Sequence, residues 1–176
     1  MSANEKKSAR APDPRPPSRG KAQTPNEDAY HFVIKGRRWR KTDPNIPEKL
    51  RAELVKELMA ARRVQNRPRV QDAKVALGER GEKWWEEVSF EGQRKRLLAA
   101  TRALLRARPA ISTICPSDAA RIAGGKAWRS LLPQARAVAR EAARAGEIIV
   151  TQRDKTLELD VAWRGPVRLR FPEANT

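Results

Sequence analysis

The stretch AWRSLLPQARAVAREAARAGEIIVTQ, residues 127–152, decides how the second half of the chain folds. At 100° per residue, Trp128, Leu131, Ala135, Val138 and Ala142 fall within about 80° of one another, and Arg129, Arg136, Arg140 and Arg144 gather nearly opposite. That pattern predicts a helix through Ala145, with one face in a core and the other presenting guanidinium groups. Pro133 either kinks this helix or restarts it, which leaves the phase of Arg129 open but not that of the other three. Gly146 ends the helix, and EIIVTQ, 147–152, reads as a strand.

Upstream, 94–108 carries Leu97, Leu98, Leu104 and Leu105 at helical spacing and stops before Pro109. Residues 110–115 read as a short extended piece. Ser117 is the N-cap candidate for a brief helix, DAARIA, which Gly124 and Gly125 terminate. Downstream, GPVRLRF, 165–171, alternates Val167, Leu169 and Phe171 with Arg168 and Arg170, as a half-buried strand does. The order helix, short strand, helix, helix, strand, strand predicts a winged helix-turn-helix over 93–172.

Residues 30–91 read as a separate small module. His31 to Ile34 forms a strand, Lys35-Gly36 a tight turn and 37–42 the returning strand of a hairpin. Asn45, Pro47 and Glu48 resemble a capping box, and Leu50, Leu54 and Leu58, with Val55 and Met59, mark an amphipathic helix to Val64. Pro68 interrupts it, and Val70, Ala73 and Leu77 share one face of a second helix that ends at Gly78. Trp84 and Trp85 are expected to close a small core. Trp39 is expected to pack on the Leu50/Leu54/Leu58 helix; stacking on a base or pairing with an arginine is the alternative. Residues 1–29, with Pro12, Pro14, Pro16, Pro17 and Pro25 and almost no large apolar side chains, are expected to be disordered. The fold class is therefore α+β, mainly α with small β-hairpins.

The net charge of +17 is unevenly placed, +2 over 1–30, +5 over 31–92 and +10 over 93–176. Such an excess points to a polyanion, nucleic acid before an anionic membrane face. Arg136, Arg140 and Arg144 sit at i, i+4 and i+8, where they repel one another, and a phosphate backbone would turn that cost into attraction. In a winged helix the recognition helix enters the major groove while the wing meets the flanking backbone. Arg136, Arg140 and Arg144 are thus expected as the principal DNA contacts, with Arg129, Arg153, Lys155 and Arg164 in support. The competing reading makes the stripe merely the solvated side of an amphipathic helix. Base-edge readers are sparse, Ser130 and Gln134 alone, so backbone binding is favoured over sequence-specific recognition. An adaptor whose winged helix meets a protein or RNA is the alternative function.

Enzyme chemistry finds little to work with. One His and one Cys fall short of the roughly four ligands of a zinc site, and no metal or cofactor is expected. Cys115, between Ile114 and Pro116, is expected to be a buried structural thiol, and His31 has no evident partner. GERG and IAGGKAW lack the GxxxxGK[ST] frame of a phosphate loop. No apolar run is long enough to span a bilayer and none follows the N-terminus as in a secretion signal. The expectation is a non-catalytic DNA-binding protein of the bacterial cytoplasm or nucleoid, with a transcriptional or nucleoid-associated role.

Two sets of motifs resemble known families. GRRWRKTDPNIPEKLRAELVKELMAARR, 36–63, with QDAKVALGERGEKWW, 71–85, resembles an uncharacterised bacterial family often labelled "biopolymer transporter Tol". SDAARIAGGKAWRSLLPQARAVAREAARAGEIIVTQR, 117–153, with GPVRLRF, resembles a bacterial family of unknown function with a winged-helix-like pattern. The resemblances imply a two-module chain and no established activity, cofactor or site residue.

Overall fold

The computed structural model describes residues 27–172, so the tail expected to be disordered lies outside the described residues except for its last three positions. Helices α1 (Glu48–Arg63) and α2 (Arg67–Ala76) pack together and against α3 (Phe90–Ala107), which also packs against α4 (Pro116–Gly124) and α5 (Leu132–Arg144). α3 can serve both sides because residues around most of its circumference from Arg96 onward are buried, and it is rich in alanine. Leu97, Leu104 and Leu105 are buried, and so are Ala99, Ala100, Ala103 and Ala107, whose short side chains let neighbouring helices approach closely. One buried cluster runs without a break from Ile46 and Leu50 to Val167 and Leu169.

Two antiparallel sheets complete this α+β architecture. Strand β1 (His31–Ile34) pairs with β2 (Arg37–Arg40) in the register Phe32 opposite Trp39 and Val33 opposite Arg38. The connecting Lys35 and Gly36 both have left-handed φ, 49° and 72°, as a two-residue primed turn requires. In the second sheet β3 (Ile149–Gln152) lies between β4 (Lys155–Thr156) and β5 (Arg168–Arg170), and Ile114 adds a single antiparallel bridge to Leu169. Val150 and Leu169, directly opposite each other, both face the core. β4 was not legible in the sequence. It is two residues long and follows a turn, Arg153-Asp154, whose two left-handed residues are neither Asn nor Gly.

Several helix starts differ from expectation. The Asn45 side chain donates to Asp43 Oδ1 at 3.0 Å instead of capping α1, and Pro47 occupies the N-cap. Ser117 does not cap α4; the helix begins at Pro116, and Asp118 Oδ2 accepts from the Cys115 amide at 3.3 Å. Cys115 is accordingly half-buried at a helix start and not a core thiol. Residues Gly125–Leu131 form a 3-10 segment, and Pro133 lies in the first turn of α5, so Arg129 is off the α5 stripe.

The first hairpin is held at its base. Arg40 Nη1 donates to the carbonyls of Gly78, Gly81 and Glu82 at 3.3, 3.0 and 3.2 Å, and Trp84 Nε1 donates to Lys41 O at 3.2 Å. Tyr30 stacks on Trp85 with centroids 4.4 Å apart, while Trp84 meets both rings edge-on. The paired tryptophans thus form a half-buried aromatic cluster over the hairpin base, outside the main core. His31 is not without partners: its Nδ1 lies 3.2 Å from Arg38 Nη2, and its ring meets Trp85 edge-on. Trp39 does not pack on α1. It is 39% exposed, with Lys74 Nζ of α2 5.1 Å from its ring.

Gly78 sits where these pieces converge. Its φ is +78°, and a Cβ there would stand 2.8 Å from Trp84 Cδ1 and 3.2 Å from Asp43 Cβ. Gly78→Ala combines left-handed strain with a clash and is expected to destabilise the chain by about 2–4 kcal/mol. Urea unfolding should show a lower midpoint with an unchanged m-value.

The start of α3 carries a titratable cap. Ser89 Oγ accepts from the Gly92 amide at 3.0 Å, and Glu82 accepts both the Ser89 hydroxyl, at 2.6 Å, and its amide, at 2.7 Å. The hydroxyl bond, then the amide bond, hold the Glu82 carboxyl below its usual range. Because the folded state favours the carboxylate, this contribution is complete above the unfolded pKa, about 4.3. It is lost as pH falls through the lower folded value. Glu82→Gln should therefore lower the melting temperature near neutrality, with the gap to wild type closing in melts taken toward about pH 3.

Candidate nucleic-acid interface

The arginine stripe of α5 is partly covered: Arg136 and Arg140 are half-buried, while Arg144 stays exposed. It faces the irregular segment 157–167, whose carbonyl groups have few strand partners and need donors. Arg136 Nη1 donates to Trp163 O at 2.7 Å, and its Nη2 donates to Gly165 O. Arg140 Nη2 donates to Val161 O at 3.1 Å, and its guanidinium lies 4.3 Å from the Trp163 ring centroid. Arg140 Nε is buried with no hydrogen-bond partner among the described residues, so stacking on that ring is its compensation. Arg144 pairs with Asp160 at 2.7 Å. The three residues expected as principal phosphate contacts thus each bond to the 157–167 segment, Arg136 and Arg140 to its carbonyls and Arg144 to Asp160 in an exposed pair. The periodicity located them off the core without showing what covers them.

Trp163 anchors the segment from within. It is 8% exposed, belongs to the main core, and donates from Nε1 to Glu158 O at 2.9 Å. Gln152, at the end of β3, donates from Nε2 to the carbonyls of Arg164, at 2.7 Å, and Pro166, at 3.0 Å. The consecutive carbonyls of 163–166 are therefore all held, alternately by Arg136 and Gln152, with Gly165 (φ +73°) at the corner. The Arg164 side chain is exposed on a backbone fixed from both sides.

Beside it lies an open cleft of about 780 Å³ lined by Arg153, Lys155, Arg164 and Arg168, together with Gln152, Leu157, Gly165 and Pro166. No carboxylate lines it. The side chains of these four cations form no hydrogen bond or ion pair with the described residues. Arginines between the helices differ: Arg96 pairs with Asp43, Arg102 with Glu147, Arg106 with Asp72, and Arg108 with Glu53 and Asp118. Those arginines are offset by acidic partners, whereas the cleft gathers four cations with no carboxylate on its wall, which focuses the field there on an anion.

Three of the seven candidate residues, Arg153, Lys155 and Arg164, therefore meet in one cleft, while Arg136, Arg140 and Arg144 support it from α5. Arg129 lies elsewhere, its guanidinium 4.7 Å from the Trp128 ring. Arg168 was missed as a site residue, although the alternation of GPVRLRF had placed it on the open side of its strand. The sparse base-reading candidates are engaged internally, Ser130 with Ala127 O and Gln134 with Phe90 O.

Residues 94–172 match one family model. Its description is "Protein of unknown function (DUF3253)", and the matched residues run from the second turn of α3 to just past β5, including every residue of the cleft. No curated protein matches the chain. The match does not reach the first half of the chain, so the resemblance expected there to Tol-labelled proteins gains no support from it. Among the described residues no helix is long and apolar enough to cross a membrane.

Proposed function

We propose that residues 93–172 form a winged-helix module that binds double-stranded DNA without catalysis, in a transcriptional or nucleoid-associated role. Arg153, Lys155, Arg164 and Arg168 would hold backbone phosphates. The observation that carries this reading is their meeting around one cleft with no lining carboxylate. The order α3, the Ile114 bridge, α4, α5, β3, β5 supports the winged-helix assignment, with β4 as an added edge strand. The cleft borders the β3–β4 turn and the segment before β5, where a wing meets the DNA backbone. Arg136, Arg140 and Arg144 act as positioning residues, and with Ser130 and Gln134 engaged internally the binding is read as largely independent of sequence.

The test is binding of the full chain to a random-sequence duplex. Replacing all four cleft cations by alanine should weaken affinity at least about a hundredfold at about 50 mM salt, equally for unrelated sequences. Arg153→Lys, Arg164→Lys and Arg168→Lys together should retain most of it, since the charge remains. Unchanged affinity in the alanine variant would remove the cleft from the account.

A further inference from the structure

The first half of the chain carries a second concentration of uncompensated cations, on elements that contribute nothing to the C-terminal cleft. An open cleft of about 490 Å³ at the α1–α2 connection is lined by Arg62, Gln65, Arg67, Val70 and Arg80, with no carboxylate. The side chains of Arg62 and Arg67 form no hydrogen bond or ion pair with the described residues. Arg80 donates to the neutral Gln71 Oε1, so its charge is also uncompensated.

Arg80 lines a second concavity as well, about 370 Å³, which it shares with Arg38, Lys83 and the exposed ring of Trp39. Arg80 stands on the wall of both concavities, so Arg62 and Arg67 in one and Trp39 in the other border a common guanidinium. The carboxylate on its wall, Glu79, is already held by Lys74 at 3.2 Å and by the Thr42 hydroxyl at 3.0 Å. Lys74 lies 5.1 Å from the Trp39 ring and is itself buried, so it supports that ring from the protein side. Uncompensated guanidinium groups in adjoining concavities, one of which exposes a supported tryptophan, are the chemistry that recognises a phosphodiester backbone bearing an unpaired base.

We infer that Arg62, Arg67, Arg80 and Trp39 form a binding track for single-stranded nucleic acid, with phosphates on the arginines and a base stacked on Trp39. A duplex fits less well, because its bases are already stacked on one another. This inference stands on different residues from the proposed DNA cleft and does not need it.

The experiment uses the full chain carrying alanine at Arg153, Lys155, Arg164 and Arg168, so that the first cleft is silent. Labelled oligo-dT and oligo-U of about 12 nucleotides are titrated by fluorescence anisotropy. Binding should persist in this background. Arg62→Ala, Arg67→Ala and Arg80→Ala together should weaken it at least about tenfold. Trp39→Ala should weaken it at least about fivefold, and Trp39→Phe much less, because a ring remains to stack on. Since the Arg62 and Arg67 side chains form no hydrogen bond or ion pair with the described residues, the double variant Arg62→Ala with Arg67→Ala should melt like its parent, and its weaker binding is the readout insensitive to folding. Equal binding of the two oligomers assigns the shared chemistry, and preference for one identifies DNA or RNA as the source. If the background variant binds neither oligomer the inference is overturned while the duplex reading survives. Loss in the arginine variant alone, with Trp39→Ala binding normally, overturns the assignment to single strands.

Discussion

Asp43→Ala is expected to lower the unfolding free energy of the full chain by about 3–5 kcal/mol, with a fall of about 10 °C or more in melting temperature. Asp43 Oδ2 accepts from Arg96 Nη2 at 2.8 Å, and the two side chains are only 6% and 10% exposed. Arg96 also donates to Ala76 O, but a carbonyl oxygen cannot neutralise a buried guanidinium. Asp43 Oδ1 accepts from the amide and side chain of Asn45, so the substitution also loosens the entry to α1. Most of the loss should come from the stranded charge. The double variant Asp43→Leu with Arg96→Leu should therefore recover at least half of it in chemical denaturation, since an apolar pair replaces an ion pair at little cost. A double variant no better than Asp43→Ala would show that packing around Gly78, and not charge, dominates the site.

Trp163→Ala should cost a similar amount, about 3–5 kcal/mol, by leaving a cavity in the main core. Its second effect is specific to this fold. Without the ring, the guanidinium of Arg140 loses its stacking surface, and the 157–167 segment loses its only deeply buried aromatic anchor among the described residues. Amide exchange across 157–167 should accelerate more than in α3. Duplex affinity should fall at temperatures where the variant is still folded, because Arg164 no longer projects from a fixed backbone. Trp163→Phe keeps a ring under Arg140 and loses the bond to Glu158 O, for about 1 kcal/mol, and should bind nearly normally.

The parts of this fold that were legible in the sequence are those governed by local periodicity. The opposition of Ala135, Val138 and Ala142 to the arginines fixed which side of α5 is buried, and the alternation of Val167 and Leu169 with Arg168 located β5. Helix caps were less legible, because Asn45 and Ser117 had local competitors, the Asp43 carboxylate and the proline-led turn at Pro116. The 157–167 segment was not legible. LELDVAWRGPV has no period, and the donors that fix it come from α5 and β3 and pair only when the tertiary fold is complete. For the same reason the site was half visible. Arg153, Lys155 and Arg164 could be found as turn cations, but periodicity says only that Arg136, Arg140 and Arg144 are not core. It cannot show that Arg136 and Arg140 meet the chain's own carbonyl groups and Arg144 the Asp160 carboxylate.

The proposed DNA binding divides the labour, with the cleft cations as the phosphate contacts and the α5 arginines as their positioning residues. It is tested most directly by the salt dependence of duplex binding to the full chain between about 50 and 200 mM salt. Each phosphate neutralised contributes about 0.9 to the slope of log affinity against log salt. Alanine at Arg153, Lys155, Arg164 and Arg168 should flatten that slope by about 3.6, so that raising salt across this range costs the wild type about a hundredfold more affinity than the variant. Arg136→Ala should lower stability and overall affinity while leaving the slope within about one unit of wild type. A slope that is insensitive to the cleft residues, or that collapses with the α5 arginines instead, would contradict the account.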